Sequence, residues 1–213
     1  MKKFDPTLYF ITDSSFLPEE EFLERVEKAI LGGATLVQLR EKEKSTIDYI
    51  DLAEKVHKIT KKYKVPLIID DRVDVCLAIN AEGVHLGSSD MPINTARKIL
   101  GEDKIIGATA KTIEKALKAQ NMGADYIGCG AIYPTTTKVK TVLTPIKTLK
   151  DICKEVDIPV NAIGGLNISN LDVLKDTGIK GICVISAVMK AKDPEIAAKE
   201  LKIKAKELIG EKL

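Results

Sequence analysis

Short runs of apolar and β-branched residues recur along this chain, and after each comes a stretch whose apolar positions return every three or four residues. The runs Leu8–Thr12, Thr35–Arg40, Pro66–Asp71, Gly83–Gly87, Lys104–Ala110, Asp125–Ala131, Pro159–Gly164 and Gly181–Ser186 read as strands. Helices are predicted over Glu19–Leu31, Thr46–Tyr63, Val73–Asn80, Ile93–Leu100, Ile113–Met122, Ile146–Glu155, Asn170–Thr177 and Pro194–Ile209. Phe22, Val26, Ala29 and Ile30 form one apolar stripe, and the opposite faces carry lysine and glutamate, as on helices wet on one side. Gly32-Gly33, Gly123 and Gly178 stand where helices should stop; Pro66 and Pro159 stand where strands should start. Alternation of this kind calls for a parallel sheet covered by helices. Eight units in 213 residues fit a single (β/α)₈ TIM barrel, one domain over residues 1–213. A doubly wound open sheet is the alternative, and its usual mark, GxGxxG after the first strand, is missing.

Composition narrows the chemistry. A hydrophobic share of 45% supports a sizeable core, and a net charge of +2 with no basic block gives no reason to expect nucleic acid or an anionic membrane surface as partner. No apolar run approaches the roughly 18 residues of a membrane span, and Asp5 and Pro6 interrupt the place of a signal peptide's apolar core. A cytoplasmic location is expected. Cys76, Cys129, Cys153 and Cys183 are scattered without a CxxC pair, so they are expected to be buried thiols in a reducing compartment.

In a barrel the chemistry belongs at the carboxyl ends of the strands. Along strand two, period-two alternation puts Gln38, Arg40 and, if the extended path continues, Lys42 on one face, with Val37 and Leu39 on the other. An arginine aimed into a barrel needs a partner or a ligand, and a diphosphate would serve. The alternative is a rim salt bridge to Glu41 or Glu43. Strand three ends in Asp70-Asp71-Arg72 and strand four is followed by Ser88-Ser89-Asp90, so Asp71 and Asp90 could hold one hard cation, Mg²⁺ completed by substrate phosphates. The alternative is that each caps the helix that follows it. The Thr135-Thr136-Thr137-Lys138 run after strand six sets three hydroxyls beside one cation, suited to a phosphate ester. Gly164, Gly165, Ile185 and Ser186 follow the last two strands, where such barrels often build a phosphate site from backbone N–H groups. His57 and His85 read as structural, and no Ser-His-Asp or Cys-His set is evident, so charge stabilisation is expected to do most of the work.

QLREK, IIDDR, GVHLGSSD, GADYIGCGAIYPTTTK and AIGGL, in this order, resemble the thiamine-phosphate synthase family from about Leu8 to the last helix. The resemblance implies a TIM barrel that joins hydroxymethylpyrimidine diphosphate to thiazole phosphate, releasing pyrophosphate and forming thiamine phosphate with Mg²⁺. It further implies that Gln38, Leu39, Arg40, Glu41, Lys42, Asp70, Thr109 and Lys138 hold the pyrimidine diphosphate. Asp71 and Asp90 would be the metal ligands. Thr135, Thr136, Thr137, Gly165, Ile185 and Ser186 would hold the thiazole phosphate. Arg40, Lys42 and Lys138 would then carry catalysis by stabilising charge on the leaving pyrophosphate. Asp70, Ser88 and Thr109 depart from the asparagine, glutamine and serine usual in that family. A carboxylate at position 70 lacks an amide's donors and adds charge beside a diphosphate unless it is protonated or turned to the metal. The alternatives are a related thiazole tautomerase and a non-catalytic ligand-sensing barrel. The pair Asp71 and Asp90, with Arg40 and Lys42, argues for the synthase.

Overall fold

A computed structural model describes residues 4–135 and 142–211. Eight parallel strands close into a barrel in sequence order: β1 (Leu8–Ile11), β2 (Leu36–Leu39), β3 (Leu67–Asp70), β4 (Gly83–Leu86), β5 (Ile105–Thr109), β6 (Tyr126–Gly130), β7 (Val160–Ile163) and β8 (Gly181–Val184). Each is a residue or two shorter than its predicted run. Helices α1 (Glu19–Leu31), α2 (Thr46–Lys62), α3 (Val73–Ala78), α4 (Ile93–Leu100), α5 (Ile113–Asn121), α6 (Ile146–Glu155), α7 (Ser186–Met189) and α8 (Pro194–Ile209) accompany them. Two expectations fail in detail. Over Asn170–Thr177 only a 3₁₀ turn, Leu171–Leu174, forms, because Asp176 sits at φ +58 and ends any regular run. Ser186 opens α7 rather than closing β8.

Alternation along the strands builds two cores. Leu8, Phe10, Val37, Leu39, Leu67 and Ile69 face outward, buried against the helices. Tyr9, Ile11, Leu36, Ile68, Ile105, Tyr126 and Cys183 point inward and fill the barrel. Helix starts are fixed locally. The Ser45 hydroxyl accepts from Asp48 N–H at the head of α2, that of Thr112 from Lys115 at α5, and the Asp193 carboxylate from Glu195 and Ile196 at α8. Closure brings Leu8, Tyr9 and Phe10 of β1 beside Ile182, Cys183 and Val184 of β8, while α8 packs on α1.

Candidate active site

The inward face of the barrel changes character along its axis. Its lower levels are apolar and aromatic, but the last inward positions of β2 to β5 are Gln38, Asp70, His85 and Thr109. Pairing sets Asp70 beside His85. These residues form the floor of a cavity of about 530 Å³ at the carboxyl ends of the strands, to which all eight strands contribute. A second cavity, about 370 Å³ and lined by Pro6, Thr7, Pro159 and Lys180 among others, lies at the opposite end and lacks such convergence.

Charge concentrates on one side of the rim. Beyond β2, Arg40 and Lys42 both turn into the cavity, as the alternation predicts. Lys42 Nζ lies 2.7 Å from Asp70 Oδ2 and also bonds the Asp71 carboxylate. Arg40 Nε lies 4.0 Å from Asp70, so its ionic partner among the described residues is Asp70 and not Glu41 or Glu43. Asp70 is buried, and desolvation raises its pKa against the pull of Lys42. At Asp71 burial pushes the same way, but hydrogen bonds from Lys42 and Asp90 outweigh it and the pKa falls. Asp90 moves up, through burial and then through its hydrogen bond to Asp71. Both carboxyls line the same cavity. Neither caps a helix: the N-cap residues of α3 and α4 are Arg72 and Pro92, and neither helix has a side-chain cap, although Asp90 Oδ2 accepts from Gly87 N–H at 2.6 Å. Asp71 also holds φ +62, a left-handed conformation uncommon outside glycine and tolerated best by Asp and Asn.

Across the cavity lie Thr135, Gly164, Gly165, Ile185 and Ser186. Gly165 has φ +65, and a Cβ there would come within 2.7 Å of Pro134 O and of the Tyr133 side chain, so the backbone itself forms this wall. Leu39 and Glu41 turn away. The Leu39 side chain is in the outer core, and Glu41 Oε2 accepts from Ser14 at 2.8 Å. Thr136, Thr137 and Lys138 lie outside the described residues. The sequence reading passed over Tyr9 and Lys111, which also line the cavity; alternation within LYFI and the position of Lys111 just past β5 were the available signals. His85 lines it too, while His57 is structural, buried on α2 and 3.1 Å from Glu82.

Comparison with known proteins meets this geometry. The family model described as thiamine monophosphate synthase matches residues 8–188. The chain belongs to the thiamine monophosphate synthase family. The thiamine-phosphate synthase of Methanobrevibacter smithii is 53% identical over 201 residues, covering 94% of this chain and 96% of that protein. That of Clostridium tetani is 52% identical over 200 residues, covering 94% and 96%. Among solved structures, thiamine phosphate pyrophosphorylase from Pyrococcus furiosus superposes with a TM-score of 0.88 at 41% identity, covering 97% of this chain and 98% of that one. The span matched by the thiamine monophosphate synthase family contains every strand and every residue lining the cavity.

Proposed function

We propose that the protein is a Mg²⁺-dependent thiamine-phosphate synthase acting on hydroxymethylpyrimidine diphosphate and thiazole phosphate. The observation that carries the reading is the convergence of Arg40 and Lys42 with Asp70, Asp71 and Asp90 on one side of a single cavity. Asp71 and Asp90 line one cavity, and two carboxyls brought to one place are a pair that a hard dication relieves. Among the described residues no third His, Cys, Asp or Glu joins them. That donor set suits Mg²⁺, which binds through one or two carboxylates and takes phosphate oxygens and water for the rest. Asp71 and Asp90 would hold the ion, and its chemistry would be to neutralise charge on the diphosphate.

With substrate in place, Lys42 exchanges its carboxylate partners for diphosphate oxygens and Arg40 offers paired donors to the same group. The bond between the pyrimidine methylene carbon and the diphosphate oxygen breaks, and its electron pair leaves with pyrophosphate. The thiazole nitrogen then gives its lone pair to the cationic methylene, so no side-chain nucleophile takes part. Cys183 is on the cavity wall, but burial pushes its thiol far up, and burial holds Cys129 at about 12. Thr135, Gly165, Ile185 and Ser186 receive the thiazole phosphate on the opposite wall. Lys138 of the TTTK run adds a further cation in this reading. The protein works as a soluble cytoplasmic enzyme; no helix among the described residues is long and apolar enough to cross a membrane.

The test is pyrophosphate release with both substrates and Mg²⁺. Release that needs both substrates and stops on chelation is expected. Lys42→Ala should lower turnover roughly 10²–10³-fold while KM for thiazole phosphate stays within about threefold. No release by the wild-type protein would overturn the assignment.

A further inference from the structure

Beneath the cavity a hydrogen-bonded chain crosses the barrel. Gln38 Nε2 on β2 donates to the Tyr9 hydroxyl on β1 at 2.6 Å. The Tyr9 and Tyr126 hydroxyls are 2.7 Å apart. The Tyr126 hydroxyl is 3.1 Å from His85 Nδ1, and His85 Nε2 is 2.9 Å from Thr109 Oγ1. Two inward glycines make room for it. A Cβ on Gly107 would come 2.0 Å from the Tyr126 ring, and one on Gly128 would press His85 at 3.3 Å. Tyr9 and Tyr126 have no exposed surface, so the chain is rigid and its polar atoms depend on one another.

Each hydroxyl in the chain has one hydrogen to give, so fixing one bond fixes the rest. With the Gln38 amide donating to Tyr9, Tyr9 gives its hydrogen to Tyr126, and Tyr126 gives its own to His85 Nδ1. With Nδ1 accepting, the ring hydrogen on Nε2 goes to Thr109 Oγ1. Thr109 keeps its hydrogen for the cavity, and Gln38 keeps its amide oxygen. The opposite sense would need the Gln38 amide turned over, with its oxygen accepting from Tyr9, and Gln38 Nε2 is the atom that faces the Tyr9 hydroxyl. We propose that Tyr9, Tyr126 and His85 are positioning residues forming a one-way relay, which presents an acceptor at Gln38 and a donor at Thr109. The ligand matched by this pair carries an amino group at one end and a phosphate oxygen at the other. The ligand half of the inference rests on the reading of the site given above; the relay itself does not.

Two measurements decide it. The chain has only two histidines, so ¹⁵N-histidine labelling, with His85→Gln for assignment, reads the His85 tautomer at neutral pH. Hydrogen on Nε2 alone is expected in the wild type, and a mixture of tautomers in Tyr126→Phe. Hydrogen on Nδ1 in the wild type overturns the relay. Second, kcat/KM is compared for the aminopyrimidine diphosphate and its analogue with oxygen in place of the amino group. Tyr9→Phe frees the Gln38 amide to turn over, and the preference for the amino substrate should fall about tenfold, with KM for thiazole phosphate within about twofold. Tyr126→Phe, also nearly isosteric, should lower the preference as well. Unchanged preference in both variants overturns the proposal. If the wild type releases no pyrophosphate, the reading of the site fails, while the His85 tautomer still decides the relay.

Discussion

Before β5 and β6, at the amino-terminal end of the barrel, Arg97 gives its guanidinium hydrogens to Gly101 O and Lys104 O at 3.0 and 2.6 Å and to Gly123 O and Asp125 Oδ2 at 2.7 and 2.6 Å. Asp125 in turn accepts from Ile106 N–H at 2.7 Å. At the carboxyl-terminal end, Lys42 meets Asp70 and Asp71 at once, and Asp90 leans on Asp71. The first cluster pairs a cation with an anion and saturates it with backbone carbonyls. The second sets three acids around Lys42, with Arg40 at a distance, and moves the pKa of Asp70 and Asp90 up and that of Asp71 down. Saturation ties strands together; crowding of like charge leaves groups whose charge is only partly compensated within the protein.

The sharpest way to break this contrast is Arg97→Ala. It removes the ion pair to Asp125 and the guanidinium bonds to three backbone carbonyls, and should cost about 3–5 kcal/mol in urea unfolding, while substrate KM in the folded fraction stays as in the wild type. Asp90→Asn tests the other end. The amide can still accept from Gly87 and donate to Asp71, so stability should rise by a few tenths of a kcal/mol, discounted for partial exposure. Under the proposed function, pyrophosphate release should fall about 10²-fold, since Asp90 is one of the two carboxylates that would hold the metal. A rise in stability at one end and a large loss at the other would separate the two kinds of charge cluster.

The smallest effect concerns Glu82, also at the amino-terminal end. Burial pushes its pKa up, but the bonds from His57 and from Leu67 N–H outweigh that, and the net value lies below the usual 4.5. A carboxyl depressed in the folded state contributes stability above its unfolded pKa and loses it as pH falls through the lower folded value. Glu82→Gln should therefore flatten the decline of the urea midpoint between about pH 5 and 3. The difference should stay under roughly 1 kcal/mol, since the side chain is 37% exposed.

Much of the rim was legible because alternation is a local property. Once β2 is a strand whose Val37 and Leu39 face the helices, Gln38, Arg40 and Lys42 must face the cavity, and they do. The same rule turns Leu39 and the neighbouring Glu41 away, which a contiguous QLREK motif does not reveal. Tyr9 was hidden for a different reason. Its meaning depends on Tyr126, 117 residues further on, and no window of sequence contains both. The segment after β7 misled because its apolar Leu171 and Leu174 fit a helical spacing, yet the Thr177 hydroxyl bonds back to Leu174 O and Asp176 turns the chain out of the helix.

Closing the barrel through β1 and β8 joins Leu8 to Ile182, some 170 positions apart. A ribosome adding about 5–20 residues each second needs roughly 10–35 s to supply that last partner. Throughout that interval the opening strand has one row of peptide groups without a neighbour, a sticky edge that nascent-chain chaperones are suited to shield.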